Sequence, residues 1–162
     1  MYAAVFGGAS FSLFLAGTTG VFKHYGEEMA AARLPTSFAS TANALESMAF
    51  HSKDALLVID DFAPSGMNGD HGLHDVAERL FRATGNQQGR NRMSNGRQTS
   101  VPQPPSALVL ATGEDAPKGQ SIRARLLIVE LGVGEVDCTS LTECQKVAQN
   151  GRFSVALGSF LN

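Results

Sequence analysis

The chain contains no tryptophan, only two tyrosines and only two cysteines among its 162 residues. Two thiols, Cys138 and Cys144, are too few for a disulfide scaffold or a complete zinc site, and they suit a reducing cytosol. Residues 1–22 carry no charge, but the basic residues that open a signal peptide are also missing. Four glycines interrupt this apolar stretch: Gly7, Gly8, Gly17 and Gly20. We therefore interpret it as leading into a buried parallel strand, and we expect a cytoplasmic protein that spans no membrane.

Acidic residues are absent between Arg79 and Gly113, although six acids and no base lie between Asp54 and Glu78. The acid-free stretch holds a polar segment, residues 85–105, which we interpret as a long basic loop or hairpin. Two interpretations of this segment stay open. Either it binds a nucleic-acid backbone, or it is a solvated loop that contacts no partner. The candidate nucleic-acid-binding residues are Arg90, Arg92 and Arg97.

The length predicts one domain covering residues 1–162. The sequence starts a few residues before the first apolar run, and for that reason it looks like a fragment of a longer protein. Four apolar runs predict buried strands: Phe11–Ala16, Ala55–Ile59, Ala107–Ala111 and Arg125–Leu131. The helices that we predict are 27–33, 41–50, 73–83, 140–149 and 153–161. Ser40 or Thr41 would cap the second, and a capping box of Ser140 and Glu143 would open the fourth. Alternation of strands and helices indicates an α/β fold with a mostly parallel sheet flanked by helices. Ligands of such sheets bind at the carboxyl ends of the strands.

Three polar segments follow the first three apolar runs in an order that suits polyphosphate hydrolysis. Gly17-Thr-Thr-Gly20-Val-Phe-Lys23 keeps the six-residue step from first glycine to lysine of the G-x-x-x-x-G-K phosphate loop. LLVIDD reads as a Walker B strand, in which Asp60 would hold magnesium and Asp61 would polarise the attacking water. Thr112 follows the next strand, where such ATPases place a residue that senses the γ-phosphate.

Longer strings of the chain resemble a family of P-loop ATPase domains from replication proteins of phages, plasmids and integrated elements. The most specific strings are STANALE (40–46), LLVIDDF (56–62) and GQSIRAR (119–125). The resemblance implies a P-loop NTPase fold of the RecA or AAA+ kind, with ATP and Mg²⁺ as cofactors. It also implies a helicase-like motor that acts on DNA as a homo-oligomeric ring.

The same resemblance assigns roles to single residues. The phosphate-binding residues would be Gly17, Thr18, Thr19, Gly20 and Lys23. Asp60 would bind the metal, Asp61 and Thr112 would be catalytic, and Arg123 or Arg125 would act as an arginine finger on a neighbouring subunit.

One segment departs from the family pattern. His24 stands where the family has a serine after the lysine, and a histidine cannot ligate magnesium as a hydroxyl does. Roughly ten residues separate Lys23 from Pro35, too few for the usual helix and its connection. The alternative function is therefore a catalytically inactive NTPase remnant that serves as a nucleic-acid-binding or oligomerisation module.

Overall fold

The computed structural model describes residues 10–17, 36–53, 55–64, 70–89 and 103–161. The described elements include five strands: β1 Ser12–Gly17, β2 Thr36–Ser37, β3 Leu56–Phe62, β4 Leu108–Gly113 and β5 Leu126–Leu131. They form one sheet in the order β2-β3-β4-β1-β5, and every neighbouring pair is parallel. The predicted α/β class with a parallel sheet is thus confirmed, and the short edge strand β2 was not predicted.

In the described segments, five helices accompany the sheet: α1 Ala42–His51, α2 Asp70–Asn86, α3 Gln120–Arg123, α4 Cys138–Gln149 and α5 Arg152–Leu161. Helices α1 and α2 pack together, and an ion pair of 3.2 Å joins Arg79 to the buried Glu46 across them. Helices α4 and α5 pack against each other, and no residue of α4 is buried.

The core lies between the sheet and helices α1 and α2, and four phenylalanine rings form its centre. Phe62 contacts Phe14 and Phe38 edge to face, with ring centroids 5.8 and 5.2 Å apart. Phe81 of α2 lies 6.4 Å from Phe14. Such edge-to-face pairs stabilise a fold beyond the area that they bury, so these rings fix the packing of β1 and β3 against α2.

Helix starts follow local capping chemistry. The Thr41 hydroxyl accepts a hydrogen bond from the Ala44 amide, so Thr41, one of the two predicted candidates, is the cap of α1. The start of α4 was predicted wrongly: its N-cap is Asp137, not Ser140 of the proposed capping box. The Ser140 hydroxyl donates to Asp137 instead, and this bond and the Thr139 amide hold the pKa of Asp137 below its usual value.

Several predicted boundaries were too short. Helix α2 was predicted over 73–83, but it begins at Asp70 and continues to Asn86. Strand β3 continues past Ile59 to Phe62, and α3 was not predicted at all. The predicted helix 27–33 lies outside the described residues. Among the helices of the described segments, none is long and apolar enough to cross a membrane.

Candidate functional site

The carboxyl ends of β1 and β4 lie side by side, with Ala16 paired to Gly113. The connection that leaves β1 leads towards β2 at one edge of the sheet, whereas the connection that leaves β4 leads to β5 on the other side. Such a reversal is a topological switch point, and in open parallel sheets ligands bind in the crevice outside it. Topology therefore selects the carboxyl ends of β1, β4 and β3 as the candidate site, which we call the carboxyl edge.

The two aspartates of β3 form a bulge at this edge. Ile59 pairs with Ala111 and Phe62 pairs with Gly113, so Asp60 and Asp61 together face one residue of β4, Thr112. Asp61 accordingly has a positive φ of 65°. The extra residue shifts the alternation of side chains, which buries Phe62 and leaves Asp61 exposed. Bulges of this kind redirect side chains and are frequent beside active sites.

Asp60 is held in place by two donors on its Oδ1 atom. The hydroxyl of Thr112, a residue only 2% exposed, donates to it, and the Asp61 amide donates at 2.9 Å. Among the described residues, Oδ2 of Asp60 has no hydrogen-bond partner. The arrangement therefore fixes the carboxylate while leaving one oxygen for a ligand.

Gly113 allows the strand ends to approach closely. A Cβ at this position would lie 2.5 Å from the Phe62 carbonyl oxygen and 3.0 Å from the Phe14 ring. The Glu114 amide then donates to that same carbonyl at 3.1 Å. Only a glycine fits at position 113 without displacing the backbone, and this position directly follows Thr112.

A cavity of about 610 Å³ opens at the carboxyl edge on the β5 side. Its wall includes Ala16 and Gly17, and four carboxylates line it: Glu114, Asp115, Glu130 and Glu135. A polyphosphate beside these acids would be repelled unless a cation accompanied it. The electrostatics of this edge thus suit a metal-bound anion better than a free one.

Within the described segments, no group of three or more His, Cys, Asp and Glu side chains could hold a metal ion by itself. This finding does not conflict with the chemistry of Mg²⁺, which often uses one or two protein carboxylates and completes its shell with water and substrate phosphates. Asp60, with its open Oδ2, fits that role.

The two candidate finger arginines lie at the opposite, amino-terminal edge of the sheet, which we call the amino edge. Arg123 ends α3 and is exposed, and Arg125 directly precedes β5. Arg125 donates from Nε and Nη2 to Asn86 Oδ1, at 3.2 and 2.9 Å, and from Nη1 to Ser121 O at 2.6 Å. Both arginines thus lie at the edge opposite Asp60 and Asp61 of their own chain, so a catalytic role would require a neighbouring subunit.

Several candidate residues lie outside the described part of the chain: Thr18, Thr19, Gly20, Lys23, Arg90, Arg92 and Arg97. The ends of the segment that contains the three arginines are nevertheless defined. A Cβ on Gly89 would lie 2.6 Å from the backbone nitrogen of Gln103, so residues 90–102 leave and rejoin the body at one point. That point is at the amino edge, since α2 ends and β4 begins there.

Sequence reasoning missed the bulge, the role of Gly113 and the partners of Arg125. The apolar Phe62 after the D-D pair could have signalled the bulge, because regular alternation along the strand would bury Asp61 and expose Phe62. Comparison of the chain with models of protein families and with curated proteins found no match.

Proposed function

We propose that the protein binds ATP with Mg²⁺ at the carboxyl edge and hydrolyses it as part of a helicase-like motor on DNA. The observation that carries the proposal is the position of Asp60, which the Thr112 hydroxyl holds in place at the carboxyl end of β3. Only the end of β4 lies between this aspartate and the end of β1 in the parallel sheet. The five-stranded sheet is compatible with a P-loop NTPase fold of the RecA or AAA+ kind.

The chain's own residues divide the work of such a site. The segment after Gly17, with Lys23, would surround the phosphates with amides and a positive charge. Asp60 would hold Mg²⁺ through Oδ2 or through water, and Thr112 would keep that carboxylate oriented. Asp61, exposed at the bulge, would position the attacking water. Bound Mg²⁺ would supply charge neutralisation on the phosphates.

The partners follow from the two edges of the sheet. Arg90, Arg92 and Arg97 belong to a segment that joins the body at the amino edge, where they would bind the DNA backbone. Arg123 or Arg125 at the same edge would act on a neighbouring subunit, which requires a homo-oligomeric ring.

Isothermal titration calorimetry with ATP, with and without Mg²⁺, tests the nucleotide site. We expect micromolar binding that requires Mg²⁺ and falls at least about tenfold in Lys23→Ala and in Asp60→Ala, since each removes a charge-assisted contact. Asp75→Ala is the matched control, because it removes an exposed carboxylate from α2 outside the site.

Absence of Mg²⁺-dependent binding in a chain that circular dichroism shows to be folded would refute the nucleotide site. Equal loss in Asp75→Ala and Asp60→Ala would refute the assignment of Asp60, because the effect would then reflect net charge alone.

A second candidate function is an inactive NTPase fold that binds nucleic acid or other subunits. His24 after Lys23 and the short connection to Pro35 favour it. The four carboxylates around the carboxyl-edge cavity add support, since they oppose an anionic ligand. DNA binding by the wild-type chain without any ATP binding would select this function.

A further inference from the structure

Most charged side chains of the described residues are acidic at the carboxyl edge of the sheet and basic at the amino edge. The carboxyl edge carries the aspartates of the bulge and the four carboxylates of the cavity wall. Where α2 and α3 end at the amino edge, the charged side chains are arginines: Arg82, Arg123 and Arg125. A polyanion would be repelled from the first edge and attracted to the second.

Arg125 joins α2 and α3 into one surface at this edge. Its guanidinium group bonds Asn86 at the end of α2 and both the carbonyl and the hydroxyl of Ser121 in α3. The close fit extends to Gly85, where a Cβ would lie 2.8 Å from Arg125 Cδ. Because the guanidinium group of Arg125 donates its hydrogen bonds within the chain, this residue holds Asn86 and Ser121 in place.

Arg82 and Arg123 are the arginines that this arrangement leaves accessible. Arg82 lies one helical turn before Asn86, hence on the same side of α2. Its side chain is 51% exposed, and its one ion pair is a surface contact with Glu78 at 2.6 Å. Exposed pairs of this kind are weak and exchange readily. Within the described residues, the guanidinium group of Arg123 forms no hydrogen bond or ion pair.

We propose that Arg82 and Arg123 form a contact surface for the phosphates of a nucleic acid on the amino edge, beside the point where residues 90–102 join the body. This inference rests on the nucleic-acid part of the proposed function and adds two described residues to it. It assigns Arg123 to the nucleic acid, so Arg123 would not also serve as the arginine finger. Both side chains end in guanidinium groups, which form bidentate hydrogen bonds with phosphate oxygens.

Fluorescence anisotropy with a labelled single-stranded DNA oligonucleotide tests the surface without nucleotide. Each lost phosphate contact should reduce the slope of log affinity against log salt by about 0.7. When the salt is lowered from 1 M to 0.1 M, the affinity of the variant should therefore rise about fivefold less than that of the wild type. We expect this loss in Arg82→Gln and in Arg123→Gln, and a combined loss in the double variant. Lys118→Gln is the control, because it removes a cation from the carboxyl side of the sheet, in the loop after β4.

The outcomes separate this inference from the proposed function. A triple Arg90→Gln, Arg92→Gln, Arg97→Gln variant reports on the segment alone. If the triple variant loses binding while the Arg82 and Arg123 variants keep the wild-type affinity and slope, the surface is refuted and the proposed DNA contact stands. If the wild-type chain binds Mg²⁺ and ATP but no DNA, both the surface and the proposed DNA contact fail while the nucleotide site remains. If Lys118→Gln weakens binding as much as Arg123→Gln, the attraction is a general charge effect and the surface is refuted.

Discussion

At the scale of single residues, the candidate site depends on a close contact between two strand ends. Thr112 fixes Asp60, and Gly113 lets the backbone of β4 approach Phe62. Both residues act through β3, so a change at either one should alter the position of the aspartates as well as the stability of the fold.

Gly113→Ala is expected to lower the free energy of unfolding by about 1–3 kcal/mol, because the added Cβ would lie 2.5 Å from the Phe62 carbonyl oxygen. Denaturation by urea, followed by circular dichroism, measures the change. Gly72→Ala is the matched control. It lies in α2, a Cβ there meets nothing within 4 Å, and we expect it to stabilise the helix by about 0.5–1 kcal/mol. Unchanged stability of Gly113→Ala would contradict the close approach.

At the scale of elements, the sequence predicts strands and helices wherever the pattern is local. The apolar runs of β1, β3, β4 and β5 and the Thr41 cap of α1 were recognisable, since burial on both faces and capping leave direct signatures. The two-residue strand β2 has no such signature, because its pairing depends on β3. The bulge was also missed, because it is defined by the pairing of β3 with β4 and not by β3 alone.

The start of α4 offers a test of two competing caps. Asp137→Ala should increase amide hydrogen exchange in the first turns of α4, whereas Glu143→Ala should leave exchange there unchanged, because Asp137 supplies the capping oxygen. The pKa of Asp137 is lowered in the folded protein, so its contribution is fully present above the unfolded value of 3.8 and is lost as the pH falls from there through the lower folded pKa. Equal exchange in both variants would contradict the assignment of the cap.

At the scale of the whole molecule, the sheet separates two kinds of chemistry. Carboxylates gather where the strands end, and arginines gather where α2 and α3 end at the opposite edge. Sequence order alone could not give this separation, because Arg123 lies only a few residues after Asp115 along the chain. The order of the strands and the direction of the helices place the two residues at opposite edges.

The central claim is that a metal-bound nucleotide occupies the carboxyl edge, and paramagnetic NMR tests it most directly. ATP with Mn²⁺ in place of Mg²⁺ broadens the amide signals of residues near the metal. We predict selective broadening of Gly17, Asp61 and Gly113, with the signals of Asn86 and Arg123 unaffected and the effect absent in Asp60→Ala. Broadening centred on the amino edge, or none at the carboxyl edge at a nucleotide concentration that saturates the protein, would contradict the claim.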